Sequence, residues 1–228
     1  MSKPINRWRE VLFGTLGLLL LGASALAGTN YPATTAEGLE QLSDSQFDAF
    51  YWRPDADLQA YSRIMIAADI PVEFRDDWQR DQNRFRGPPN DVEATDVERI
   101  QAMMADSLRD VLTRELEERG DYPVVTTPGN GVLLLKPAIV ELDVFAPDIF
   151  TPSITRVFTQ TMGRMTLQMD LYDAQTNELV GRIIDRQNAR DQRFRVQFTN
   201  RVTNRFESEI IMRRWGSRLR NMLDKARA

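Results

Sequence analysis

Hydrophobic and polar positions change period along this chain, and each change marks an element. Val97, Ile100, Met104, Leu108, Val111, Leu112 and Leu116 recur at spacings of three and four, which places them on one face of a helix. Arg99, Asp106, Asp110, Arg114 and Glu118 fall elsewhere on it. Thr95-Asp96-Val97-Glu98 has the form of a capping box at its start. Gly120 suits a left-handed cap at its end, and Pro123 bars continuation. Tyr122-Pro123-Val124-Val125 then leads to the Pro128-Gly129-Asn130-Gly131 turn. The apolar run Val132 to Leu135 follows, and predicts a strand covered on both faces. A helix-then-strand unit of this size cannot bury its stripe alone and needs a sheet to lie on.

The rest of the pattern supplies that sheet. Arg63 to Ile70 reads as a first core strand, and Ala138 to Phe145 as a continuation after the central unit. Met165, Leu167, Met169 and Leu171 alternate with Thr166, Gln168 and Asp170, the period of a strand with one face buried. Asp173-Ala174-Gln175-Thr176-Asn177-Glu178 turns the chain, with Asn177 suited to positive φ, and Leu179 to Asp185 returns as the second arm of an antiparallel hairpin. From Thr203 to Ala226 the period is helical again, with Ile211, Trp215, Leu219 and Met222 on one face. The fold class this predicts is α/β (α+β). It is a mainly antiparallel sheet of four to five strands, in the order strand, helix, strand, strand, strand, helix, with two amphipathic helices packed on one face. Residues 28–45 read as a flexible lead-in, 75–94 as a solvated loop, and the Pro147 to Thr155 stretch as a surface excursion.

The N-terminus carries a different pattern. Lys3, Arg7 and Arg9 precede an apolar run from Val11 to Leu21, and Ala25-Leu26-Ala27 supplies a small-x-small cleavage site. This predicts a secretory signal peptide over 1–27, with the mature chain starting near Gly28 and one domain over 46–228. A retained anchor is the alternative, but the run is short and interrupted by Gly14, Gly17 and Gly22. Leu26-Ala27-Gly28-Thr29 has the shape of a lipobox with Thr29 where the lipid-bearing thiol belongs. The expected location is therefore the periplasm, without a lipid anchor and at most loosely associated with a membrane.

Composition narrows the chemistry. The chain of 228 residues, 42% of them hydrophobic, has no Cys and no His. Thiol nucleophiles, Ser-His and Cys-His pairs, zinc fingers, haem attachment and disulfides are excluded. A metal site would need carboxylates alone. Asp76, Asp77 and Asp81 are interleaved with arginines and lack calcium-loop spacing, so no metal and no cofactor is expected. The net charge of -4 hides an asymmetry. From Arg182 onward thirteen basic residues face five acidic ones, whereas residues 28–181 hold thirteen basic and twenty-seven acidic. Two readings follow: the halves pack together and cancel, or the tail offers a basic surface to an anionic partner.

Three groups of residues carry the candidate functions. Arg186, Arg190, Arg193, Arg195, Arg201 and Arg205 could hold phosphate or carboxylate groups through their guanidinium forks. Phe50, Tyr51 and Trp52, with Phe47 nearby, either tuck against the domain or form an aromatic contact segment. Asp69 with Glu73, and Glu141 with Asp143, are the acid pairs a glycan hydrolase would need, each pair pointing one way if its strand is regular. Gly129-Asn130-Gly131 precedes a strand rather than a helix, the wrong setting for a phosphate loop.

Several stretches together carry a family resemblance. They are Trp52-Arg53-Pro54-Asp55-Ala56-Asp57-Leu58 with Tyr61 and Ile64-Met65-Ile66, then Tyr122-Pro123-Val124-Val125, and the Val132-Leu133 run into Ala138. Leu171-Tyr172-Asp173 with Glu178-Leu179, and a closing helix with Trp215 and Leu219, complete the set. From about Glu37 to its end the chain resembles a family of bacterial envelope proteins, mostly lipoproteins, known as domain-of-unknown-function family 3313. Thr29 departs from the lipidated form. The resemblance implies an envelope setting and brings no activity or catalytic residue. The function expected is a non-catalytic binding or scaffolding role, with another envelope protein as partner. The alternatives are binding of anionic lipopolysaccharide, phospholipid or peptidoglycan through the arginines, and carboxylate-based glycan hydrolysis. Nucleic acid is not expected as a partner outside the cytoplasm.

Overall fold

Strand β5 (Val132–Asp143) joins into one twelve-residue element the two strand segments that the sequence predicts on either side of Lys136. The structure is a computed structural model, which describes residues 31–43, 45–84, 86–88, 91–144, 164–188 and 201–227, with side chains in the last stretch from Ser208 onward. The signal peptide, Thr29 and the Pro147 to Thr155 excursion lie outside the described residues.

Around β5 the chain lays down β1 (Glu40–Gln41), β2 (Ala49–Trp52), β3 (Arg63–Ile66), β4 (Val72–Phe74), β6 (Arg164–Asp173) and β7 (Leu179–Asn188). The helices are α1 (Trp78–Asn83), α2 (Ala94–Thr113) and α3 (Arg201–Arg227). The seven strands form one sheet in the order β1-β2-β7-β6-β5-β3, with β4 also paired to β5. The α+β class and the β6–β7 hairpin are as the sequence predicts, and Asn177 takes its positive φ of 56°. The sheet is larger than expected, however, and it is mixed. Both β3 and β4 run parallel to β5, because the chain between them and β5 passes through α1 and α2, and a helical crossover returns strands in parallel.

One face of this sheet is sealed. Ile64, Ile66, Leu133, Leu135, Ile139, Leu167, Met169, Leu171 and Ile183 point into a core shared with Ile100, Met104, Leu108, Val111 and Leu112 of α2 and Ile211, Trp215, Leu219 and Leu223 of α3. Leu134, Ala138 and Val140 alternate onto the other face and remain half-exposed, with Lys136 exposed among them. The expectation of a strand buried on both faces holds only in part. Of the outward members of the run Val132 to Leu135, Val132 is buried and Leu134 is half-exposed, so the cover on that face is partial.

Local signals shift by a few residues. The box that opens α2 is built on Glu93 and Asp96 rather than Thr95 and Glu98: Glu93 N–H donates to Asp96 Oδ2 at 3.1 Å. Past Thr113 the helix widens into a π-turn over Arg114–Glu118. Asp121, not Gly120, takes the left-handed conformation, with φ of 45°. Gly120 is needed for space instead, since a Cβ there would sit 2.7 Å from Arg220 Cγ and 2.9 Å from the Leu116 carbonyl oxygen.

Two segments expected to be loose are held. In the 75–94 stretch, α1 is anchored by Trp78, which is buried, stacks on Phe74 at 4.0 Å and donates its indole N–H to the Val144 carbonyl at 2.7 Å. Asn83 bonds the backbone of Val92 in both directions, at 3.1 and 2.7 Å. In the lead-in, Thr34 bridges to Glu40, and Leu39 is fully buried outside the main core.

Candidate functional site

The aromatic segment is interior. Phe50, Tyr51 and Trp52 are all buried, on a strand that lies between β1 and β7 in the sheet. Phe50 and Trp52 face the helices, with ring centroids 6.0 Å apart, and Trp52 meets Tyr61 edge-on at 6.4 Å. Tyr51 points the other way, beside Arg182 in register. Trp52 lies so close to β7 that a Cβ on Gly181 would come within 2.6 Å of its ring. These rings build the domain, and as a contact platform they are not presented.

The arginines divide. Arg186 is bonded to Glu141, Arg201 and Arg205 fall in the first turns of α3, and Arg190, Arg193 and Arg195 lie outside the described residues. The acid pairs divide as well. A β-bulge interrupts β5 between Val140 and Asp143, and Glu141 sits in it with φ of 53°. The bulge breaks the strand alternation that would have kept Glu141 and Asp143 together. It turns Glu141 to Arg186 and to the Thr166 hydroxyl, which donates at 3.2 Å. Asp143 goes instead to Arg75 Nε at 3.1 Å. Of the other pair, Glu73 lies on β4 and Asp69 in the connection before it. Among the described residues no group of carboxylates could hold a metal ion.

Two buried carboxylates, which sequence reasoning passed over, tie α3 to the rest. Asp185 on β7 accepts from the Trp215 indole at 2.8 Å, from Arg218 Nη1 at 3.0 Å to each oxygen, and from Gln187 Nε2 at 2.6 Å. The Asp48 amide adds a fifth bond at 3.1 Å, and the Asp48 carboxylate in turn accepts from the Arg186 amide at 2.8 Å. Burial pushes the Asp185 carboxyl above its ordinary 3.8, against the pull of Trp215 and Arg218. Glu115 sits in the π-turn of α2, buried, between Arg119 at 2.5 Å and Arg220 of α3 at 3.4 Å. Opposite it α3 carries Gly216, where a Cβ would meet Glu115 Cγ at 2.9 Å. The close approach of α2 and α3 at this point therefore requires glycine.

Tyrosines close the end of α3. Tyr122 donates to Asp224 at 3.0 Å while the Arg227 guanidinium lies 3.8 Å over its ring. Tyr61 donates to Asp173 at 3.2 Å. Burial, then the neighbouring carboxylate, pushes both phenols up to about 12. Burial alone would raise Asp173, but the amides of Thr176 and Gln175 and the Tyr61 hydroxyl outweigh it and hold the carboxyl below 3.8.

On the face turned away from α2 and α3, Arg182 forms a two-pronged pair with Asp170, at 2.6 and 3.1 Å, and reaches Glu37 at 3.1 Å. These carboxylates raise its pKa further. Lys136 stands 3.9 Å over the Tyr172 ring. Strand parity could have placed Lys136, Asp170 and Tyr172 on one face, but their register across β5, β6 and β7 is a property of the folded sheet.

With the fold in place, comparison with known proteins decides the family. A family described as a protein of unknown function, DUF3313, matches residues 30–204. The chain belongs to it. No curated protein matches. Among solved structures, the chain is similar to two PelC dodecamers from Paraburkholderia phytofirmans, one of them a point variant. The variant shares 10% identity, covering 70% of this chain and 87% of that one, with a TM-score of 0.35. The other shares 10% identity, covering 75% and 94%, with a TM-score of 0.37.

Proposed function

We propose that this DUF3313 chain is a non-catalytic protein of the cell envelope that binds or scaffolds another protein there. The observation that carries the reading is how its acids and bases are used. The carboxylates that could have met as a reacting pair are drawn to different arginines, Glu141 to Arg186 and Asp143 to Arg75. The deepest acids, Asp185 and Glu115, hold α3 in place. Each described buried side-chain polar atom has a partner. Reacting sites concentrate strained and under-satisfied polar groups, and groups matched in this way build a rigid scaffold whose work is done by its surface.

The envelope setting rests on the N-terminal pattern: Lys3, Arg7 and Arg9, then the apolar run, then Ala25-Leu26-Ala27. No helix among the described residues is long and apolar enough to cross a membrane. Arg186, the first of the candidate anion-binding residues, already has a carboxylate partner, which favours a protein partner over an anionic surface.

The test is a paired binding measurement on the mature chain. Co-sedimentation with phosphatidylglycerol vesicles and affinity capture from an envelope extract are run at low and at high salt. The expected result is one protein recovered in stoichiometric amount at both ionic strengths, with no vesicle binding. Vesicle binding that collapses with salt, and no recovered protein, would assign the Arg-rich region the main role instead.

A further inference from the structure

Residues 31–43 form a clasp at one edge of the sheet. Its two arms meet in the Thr34–Glu40 bridge, and the Gln41 amide donates to the Ala33 carbonyl at 2.9 Å. Gly38, with φ of 79°, turns the tip, where the Thr35 amide donates to the Leu39 carbonyl at 2.9 Å. The second arm is β1, which adds only two residues to β2: Glu40 lies opposite Trp52 and Gln41 opposite Tyr51. The Leu42 amide then donates to the Phe50 carbonyl at 2.8 Å. From the tip, Glu37 crosses to Arg182 on β7 at 3.1 Å.

The seat of this clasp lies apart from the main core. Ala49 and Tyr51 of β2 face away from α2 and α3, in register with Ile184 and Arg182. Alternation back from Gln41 puts Leu39 on that side too. Leu39, Ala49 and Tyr51 are all buried, and none of them belongs to the core shared with the helices. The clasp is also lightly held. Leu39 is the one buried residue among the described positions of 31–43, and Glu37 is exposed. A segment with one buried side chain, an exposed ion pair and few hydrogen bonds to its neighbours opens locally while the rest stays folded. Opening takes no residue from the core under α2 and α3.

We infer that the clasp opens, and that its seat then takes an extended segment of a partner protein carrying a carboxylate and, two residues on, a branched aliphatic side chain. The clasp itself displays that chemistry, with Glu37 as the carboxylate and Leu39 as the aliphatic group. Once β1 leaves, the edge of β2 offers the Phe50 carbonyl and its neighbours to an incoming strand, the usual mode of strand addition. Charge selects for an acid. Without Glu37, Arg182 and Asp170 cancel, and Lys136, opposite Asp170 on β5, leaves the surroundings of the seat positive. Ile184, Ala138 and Tyr172, all half-exposed, extend the surface from the seat toward β5.

This inference rests on the proposed function in taking the partner to be a protein, but its test does not, because the probe is a synthetic peptide of residues 31–43. In native-state hydrogen exchange of the mature chain, the Leu42 amide should exchange through an opening insensitive to low urea. The Leu167 and Met169 amides should exchange only as the domain unfolds. Two full-length variants hold the clasp open: Glu37→Lys sets a cation against Arg182, and Leu39→Asp places a carboxylate in an apolar seat. By fluorescence anisotropy, each should bind the labelled peptide at least about tenfold more tightly than the natural chain does. The same substitutions made in the peptide should weaken its binding by at least about tenfold, and Arg80→Glu on α1 should change nothing. Glu37→Lys alters an exposed position, so it carries the test alone if Leu39→Asp does not fold. Leu42 protected as strongly as Leu167, or opened chains that bind the peptide no better than the natural chain, overturns the inference. An envelope protein captured by the natural chain without any peptide binding overturns this inference alone and leaves the proposed function standing.

Discussion

Asp185 is the residue on which the attachment of α3 depends most. Asp185→Ala would leave the Trp215 indole and the Asp48 amide without their acceptor and Arg218 without its counter-charge. Breaking a buried pair from one side costs about 3–5 kcal/mol, so the urea midpoint should fall sharply with the slope unchanged. The pH dependence has a definite sign. Burial raises the folded-state pKa of Asp185 above 3.8, so ionisation of this group disfavours the folded chain. Its contribution is fully present below the unfolded value and is lost as pH rises through the folded one. Compared with Asp185→Asn, the natural chain should therefore gain stability as pH falls from the raised value toward 3.8, measured by urea unfolding of both at stepped pH. A difference that moves the other way would contradict the assignment. Part of this site was legible: alternation along β7 puts Asp185 on the face of Ile183. Its partners were not legible, because Trp215 lies 30 residues on and only the docking of α3 brings it near.

Helices and hairpins announce themselves by period, so α2, α3 and the β6–β7 pair were readable, as was the turn at Asn177. Elements that break period were not. Strand β2 is buried on both sides, so its rings show no alternation, and β1 and β4 are too short to show one. The π-turn and the bulge at Glu141 each add one residue to a regular ladder, and each turns a carboxylate toward an arginine that counting alone would have missed. The α2–α3 crossing gives an element-scale prediction. Gly216→Ala would gain about 1 kcal/mol of helix propensity, but the added methyl would strike Cβ and Cγ of a buried Glu115 that two arginines hold in place. Overpacking of that kind costs about 1–3 kcal/mol, and the net effect expected in thermal unfolding is a lower Tm. The 75–94 segment gives another. Trp78→Ala removes its buried anchor, a loss of about 3–5 kcal/mol for a core aromatic, and limited proteolysis should then cut between Arg75 and Val92, where the natural chain resists.

At the scale of the molecule, the charge imbalance between the two parts of the chain is answered in part by folding. Arg182 reaches back to Glu37 and Asp170, Arg186 to Glu141, and Arg220 to Glu115. Acids of the first part thus neutralise arginines of the second, which is the packing-together reading of the asymmetry. What the described residues present is an α+β scaffold with α2 and α3 packed on one face of its sheet and a partly covered face opposite. The central functional claim is that this scaffold acts by contact with another envelope protein. The most direct measurement is crosslinking in intact cells, with the crosslinked partner identified by mass spectrometry and the experiment repeated at raised salt. The account predicts a single recurring protein whose yield is insensitive to salt. Recovery of phospholipid or cell-wall fragments alone, or sugar release by the purified chain that stops when Glu141 becomes Gln, would contradict it.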